Sequence, residues 1–183
     1  MPSDEKKVRY AVVGAGNIAQ VAVLPAFEHA SENAVLAAIV SSDEEKLVEL
    51  AEHYGVAHVG GYDDMERIFE EADVDAAYIA LPNAMHREYT ERCAKAGVHV
   101  LVEKPLAMTV ADCEAMIDAC SAGGVKLMVA YRLHFEETNL RAIETVREQG
   151  KIGEARYFSS VFSHDVRGGD IRTNADVGGG ALY

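Results

Sequence analysis

The sequence predicts a doubly wound α/β fold, an open parallel sheet with helices on both faces, on three observations. Short apolar runs alternate with stretches of helical periodicity from residue 8 to about residue 130, the pattern that right-handed strand–helix–strand crossovers require. The run Val98 to Val102 lacks polar alternation, as expected of a strand covered on both sides. The first run also enters the first helix through a glycine turn, Gly14-Ala15-Gly16-Asn17-Ile18-Ala19.

Taken in order, Val8 to Val13 is a β-rich run ending at glycine, and Ile18 to His29 carries apolar residues at helical spacing. Val35 to Val40 reads as a strand, Asp43 to Tyr54 as a helix, Met65 to Ala72 as a short helix and Ala76 to Leu81 as a strand. Asn83 to Ala96 is a helix closed by Gly97, and Val98 to Val102 is the next strand. Thr109 to Ser121 is a helix closed by Gly123-Gly124, and Lys126 to Ala130 is a further strand. After Tyr131 the pattern changes. Leu133 to Gln149 has the spacing of a longer amphipathic helix, and Glu154 to Ser163 alternates like a half-buried antiparallel strand. Residues 1–131 therefore form one domain, and 132–183 begin a second whose roughly fifty residues are too few to bury a core alone.

Seventeen Lys and Arg against 30 Asp and Glu give a formal charge of −13, so the surface repels nucleic acid phosphates and anionic lipid. With 49% apolar and 26% charged residues, the composition is that of a folded globular protein. No apolar run approaches the ~20 residues of a membrane span. The start, MPSDEKKVRY, lacks the apolar stretch of a secretory signal, so the expected location is the cytoplasm. Cys93, Cys113 and Cys120 match neither a CxxC pair nor a disulfide framework and read as thiols on helices. The 7 histidines are dispersed without an HExxH pattern, so no metal site is expected. The chain stops on Gly178-Gly179-Gly180-Ala181-Leu182-Tyr183 with no polar tail, which reads as a sequence cut short.

The turn Gly14 to Ala19 fits G-x-G-x-x-A between a strand and a helix. Gly14 allows the tight turn, Gly16 lets a pyrophosphate approach the backbone, and Ala19 lets the helix pack on the strand. The helix N-terminus then faces the anion with unpaired N–H groups at Asn17 and Ile18. The plainer alternative is a turn that only tightens the connection. Which dinucleotide fits depends on the end of the second strand, Val40-Ser41-Ser42-Asp43-Glu44-Glu45-Lys46. No carboxylate follows the strand directly, and two hydroxyls plus an ammonium at Lys46 suit a 2′-phosphate, so NADP is expected ahead of NAD. Against this, Ser42 or Asp43 could cap the helix and Lys46 could be solvated beside acidic neighbours.

Two later strand ends carry unusual residues. Leu81-Pro82-Asn83 ends one, with Asn83 able to cap the helix or meet a cofactor, and His86 beyond it reads as a satisfied polar residue on the first helical turn more readily than as a catalyst. Val102-Glu103-Lys104-Pro105 ends another. Two charges after a buried strand are costly unless paired or used. Pro105 biases Lys104 toward an extended backbone that aims it into the crevice. An ammonium there could stabilise a developing alkoxide or take part in proton transfer. A Glu103–Lys104 surface pair is the alternative.

Gly14 to Ala19, Leu81-Pro82-Asn83 with His86, Glu103-Lys104-Pro105 and Ala130-Tyr131-Arg132 together resemble the Gfo/Idh/MocA family of NAD(P)-dependent sugar and polyol oxidoreductases. Ser41 to Lys46 and Tyr131 to His134 look most like its glucose–fructose oxidoreductase branch, which holds NADP. The resemblance implies a Rossmann domain followed by an α/β domain with an antiparallel sheet, a carbohydrate bound between them, and a homo-oligomer when full length. It makes Lys104 the catalytic lysine, places Glu103 and Arg132 at the nicotinamide end, and gives Ser41 and Lys46 to the adenosine phosphate, with Ser42 a further cofactor contact. Gly14, Gly16, Asn17, Ile18, Leu81, Pro82, Asn83 and His86 complete the implied cofactor contacts. A further acid/base group lies beyond the glycine stretch in the family, and Tyr183 is too close to those glycines to carry that role. The family also includes a non-catalytic regulator, which makes a dinucleotide sensor the alternative function.

Overall fold

The computed structural model describes residues 6–148, 150, 151, 153, 154, 156–161 and 163. Six strands, β1 (Val8–Val13), β2 (Ala34–Val40), β3 (His58–Gly60), β4 (Ala76–Ile79), β5 (His99–Val102) and β6 (Leu127–Val129), form one sheet in the order β3-β2-β1-β4-β5-β6. Every neighbouring pair is parallel. From β1 the chain builds outward to β3, then returns to lay β4 against the other side of β1. The carboxyl ends of β1 and β4 therefore flank a topological switch point, where open α/β sheets bind ligands.

The helices are α1 (Leu24–His29), α2 (Glu44–Tyr54), α3 (Met65–Glu71), α4 (His86–Lys95), α5 (Val110–Ala122) and α6 (Glu137–Arg147). Their ends follow from local chemistry. Asp43 caps α2 by accepting from Lys46 N, and Gly55 closes it at φ 66°. Thr109 caps α5 by accepting from Asp112 N. A π turn, Ala19–Val23, precedes α1 within the helical run 17–29.

Successive strand residues face opposite cores, which is why the strands read as unbroken apolar runs. Val13, Val40, Ile79 and Val102 pack with Met65, Phe69, Cys93 and Met116 on the side of α3, α4 and α5. Val12, Ile39, Tyr78 and Ala80 pack with Val23, Leu24 and Leu47 on the side of α1 and α2. Fully burying such an aliphatic side chain contributes roughly 1.5–3 kcal/mol, so a polar residue at either alternating position would face a dry core. Among the described residues no helix is long and apolar enough to cross a membrane.

Three elements depart from expectation. The strand β3 has only three residues, too few for a periodicity to mark it. The helix expected over Leu133 to Gln149 is split into a 3-10 turn, Arg132–Phe135, and α6, because Glu136 is extended (φ −76°, ψ 128°). Asn139 bonds back to the Leu133 carbonyl across that break. The strand expected over Glu154 to Ser163 does not form at residues 156–161, where Tyr157 and Phe158 are 87% and 88% exposed. Alternation alone cannot make a strand when no neighbour satisfies its backbone. The rest of that stretch, and the terminal glycines, lie outside the described residues.

Candidate active site

The glycine turn closes β1. Gly14 N donates to the Val40 carbonyl at 2.8 Å, and Gly14 sits at φ +99°. An added Cβ there would lie 2.7 Å from Ala80 O and 2.9 Å from Leu81 Cδ2, so backbone conformation and close approach to the end of β4 both demand glycine. Gly16 differs. A Cβ on it would meet nothing nearer than Ala80 O at 4.0 Å, and Gly16 and Asn17 are exposed. The protein's own packing does not require the missing side chain at Gly16. Asn17 and Ile18 begin the helical run, whose leading N–H groups have no partner further back in the helix. Gln20 Nε2 staples the turn by donating to Ala15 O at 2.7 Å, while Ala19 is fully buried.

At the end of β2, Ser41 is buried and Ser42 exposed. Lys46 Nζ lies 2.8 Å from Asp43 Oδ2, and that hydrogen-bonded pair holds the Asp43 carboxyl below its ordinary range. Asp43 thus caps the helix, as the plainer sequence alternative has it, while Lys46 pairs with Asp43 itself and not with Glu45 or Glu49. The Ser41 and Ser42 hydroxyls also meet the phenol of Tyr62, which burial pushes up and these hydrogen bonds push down. Nothing in the sequence pattern had marked Tyr62, since a lone tyrosine after a short strand carries no periodic signal.

The ends of β4 and β5 stand beside the turn. Leu81 is buried, and Pro82 precedes a 3-10 turn, Asn83–Met85, so Asn83 lies inside that turn rather than capping it. His86 is 0% exposed, against the expectation that it meets a cofactor. Its Nδ1 is 2.9 Å from Pro105 O and 3.3 Å from Leu106 O, and its Nε2 is 2.9 Å from Leu81 O. Whichever ring nitrogen carries a proton, a carbonyl oxygen is there to accept it.

Glu103 is likewise interior, at 8% exposure. Its Oε1 accepts from the Tyr78 hydroxyl at 2.7 Å, and its Oε2 accepts from Lys104 N at 3.2 Å. Burial first, then the hydrogen bond to Glu103 and its charge, push the Tyr78 phenol well above its ordinary value, with Arg132 opposing. The phenol therefore keeps its proton and donates it. A tyrosine and a glutamate in otherwise apolar strand ends each need a buried partner, but the sequence alone does not say that they are each other's. Lys104 is exposed, is joined to Pro105 by a cis peptide, and has no carboxylate within ion-pair distance among the described residues. The alternative of a Glu103–Lys104 surface pair is thereby removed. Arg132 lines a groove with Tyr78, Glu103 and Phe27 on the α1 side of the sheet.

Known proteins resemble the chain in sequence and fold. Residues 8–131 match the family described as oxidoreductase family, NAD-binding Rossmann fold. A dTDP-3,4-didehydro-2,6-dideoxy-alpha-D-glucose 3-reductase of Streptomyces violaceoruber is 39% identical over 97% of this chain and 51% of its own length. Among solved structures, the aldose-aldose oxidoreductase from Caulobacter crescentus, complexed with glycerol, is 46% identical with a TM-score of 0.76, over 81% of this chain and 44% of that one. KijD10, a 3-ketoreductase from Actinomadura kijaniata in complex with NADP and TDP-benzene, is 35% identical with a TM-score of 0.85, over 97% of this chain and 53% of that one. The chain spans about half the length of the curated relatives it matches. With the glycine turn at the switch point and Lys104 at the end of β5, the chain belongs to the Gfo/Idh/MocA family of oxidoreductases.

Proposed function

We propose that the protein is an NADP-dependent oxidoreductase acting on a carbohydrate, with residues 1–131 as its coenzyme domain and 132–183 as the start of a substrate domain. One observation carries the reading. Parallel β1, β4 and β5 end on one edge of the sheet, so the side-chain-free surface at Gly16 and the Lys104 ammonium, unpaired among the described residues, flank the same crevice. The relatives named for sugar reduction, and the neighbour that binds NADP, support it.

The residues fit the coenzyme. The space over Gly16 admits a pyrophosphate, and the leading amides at Asn17 and Ile18 with the helix dipole attract it. Ser41, Ser42 and Lys46 suit the 2′-phosphate, with Lys46 turning from Asp43 toward the stronger anion. Leu81, Pro82 and Asn83 form the wall at the end of β4. When bound, the nicotinamide supplies or accepts the hydride. Lys104 donates a hydrogen bond to the sugar oxygen on the reacting carbon. In reduction the ammonium steadies the negative charge growing on that oxygen and can pass it a proton, leaving a neutral amine; in oxidation it is the neutral amine that takes the hydroxyl proton and becomes the ammonium. Glu103 stays beneath, held by Tyr78, and steadies the backbone of Lys104.

Calorimetric titration of the chain with NADP and NAD, followed by turnover of the whole protein on aldoses, ketoses, polyols and dTDP-linked sugars, tests the proposal. NADP is expected to bind more tightly, and at least one sugar to be turned over. Tight binding without turnover on the panel would make the protein a dinucleotide sensor instead, and binding of neither nucleotide would overturn the reading.

A further inference from the structure

Lys104 has no side-chain partner among the described residues, so the position of its ammonium depends on how its backbone is held. Both flanking residues are tied down from inside the protein. Before it, the buried Glu103 carboxylate joins the Tyr78 hydroxyl of β4 (2.7 Å) to Lys104 N (3.2 Å). After it, the Pro105 carbonyl meets His86 Nδ1 at 2.9 Å, while Nε2 of the same ring faces Leu81 O at 2.9 Å. Tyr78 belongs to the core on the α1 side, and His86 begins α4 on the other side. The Leu81 and Pro105 carbonyls lie just past the ends of β4 and β5, where the next residue or the residue itself is a proline lacking an N–H. A buried ring that reaches both can, as a neutral imidazole, donate to one of them what the sheet does not supply.

We propose that Tyr78 and His86 are positioning residues that pin residues 103–106 from opposite faces of the sheet and thereby fix where the Lys104 ammonium stands. His86 acts through the Pro105 carbonyl and Tyr78 through the Glu103 carboxylate. The assignment rests on Lys104 being the group beside the reacting oxygen. A misplacement of about 1 Å at such a group costs on the order of a hundredfold in rate, so slack in this segment falls on turnover while the glycine turn still holds its dinucleotide.

Three variants test it. Tyr78→Phe keeps the ring and removes the donor to Glu103. His86→Asn places an amide nitrogen near Nδ1, toward Pro105, and His86→Gln places one near Nε2, toward Leu81. In the chain itself, amide hydrogen exchange over residues 103–108 should rise by about tenfold in Tyr78→Phe and His86→Gln, with residues 14–24 unchanged and NADP affinity within about twofold. In the whole protein, kcat should fall by roughly a hundredfold in those two variants, and His86→Asn should recover most of it. A merely structural role would instead speed exchange across the whole sheet, weaken NADP in step, and make the two His86 variants alike. Either that pattern, or unchanged exchange at 103–108 in a chain that binds NADP, overturns the pin. Local loosening in a chain that binds no dinucleotide upholds the pin and overturns the reading of Lys104. Should the His86 variants fail to fold, the near-isosteric Tyr78→Phe still decides.

Discussion

Replacing Gly14 and Gly16 by alanine, one at a time, separates what the turn does for the fold from what it does for a ligand. At Gly14 an alanine would have to adopt φ +99° and place its methyl 2.7 Å from a backbone oxygen. The left-handed backbone costs about 1–2 kcal/mol, and pressing a methyl into filled space costs about 1–3 kcal/mol more. Their sum, ~2–5 kcal/mol, lowers Tm by roughly 5–20 °C for a chain of this size. At Gly16 the nearest atom to an added Cβ is 4.0 Å away, so Gly16→Ala should shift Tm by no more than about 2 °C. Its methyl instead occupies the approach to the amides. Crowding worth about 1–3 kcal/mol there weakens NADP by about 5- to 150-fold. Thermal unfolding followed by circular dichroism and calorimetric titration with NADP read the two effects. Equal destabilisation by the two substitutions, or full NADP affinity in Gly16→Ala, would refute the assignment of Gly14 to the fold and Gly16 to the ligand.

Reversing the charge at Lys46 should weaken NADP far more than NAD, because only the former brings a second anion to the end of β2; equal losses in parallel titrations of Lys46→Glu would remove Lys46 from the phosphate site. Asp75 accepts from Arg9 N at 2.8 Å, and that bond, aided by Lys6, holds its carboxyl below the ordinary 3.8. A depressed folded-state value stabilises the protein above the unfolded value and ceases to do so as pH falls through the folded one. Asp75→Asn should therefore be less stable than the parent at pH 7 and converge with it as pH drops below 3.8, and a constant gap in denaturant titrations would contradict this. Burial pushes the Cys93 thiol up to about 12, and Cys120 is also buried and raised, whereas Cys113 is part-exposed. A thiol reagent should label Cys113 first and the other two only on unfolding, as peptide mass analysis will reveal.

Much of this architecture was legible in the chain because two strong local signals agree. The apolar runs around Val12–Val13 and Ile39–Val40 have no wet face, and Gly14 stands where a strand must turn sharply beside its neighbour. Lys104 was legible for a related reason, since a charge directly after a buried strand needs a partner or a purpose. The Tyr78–Glu103 bond and the reach of His86 to Pro105 join residues 25 and 19 apart, and such pairings appear only once the strand order is known. The reading of His86 as a satisfied polar residue on the first helical turn agrees with its buried ring, whereas the cofactor contact came only from the family resemblance. The alternation from Glu154 onward misled because a strand is defined by its neighbour, and residues 156–161 have none among the described residues.

The most direct test of the whole account is a crystal structure of the protein grown with NADP. The account predicts the diphosphate against the amides of residues 14–18, the 2′-phosphate within reach of Ser41, Ser42 and Lys46, and the Lys104 ammonium beside the nicotinamide. A nucleotide bound away from the glycine turn, or a Lys104 side chain directed out of the crevice with the coenzyme in place, would contradict it.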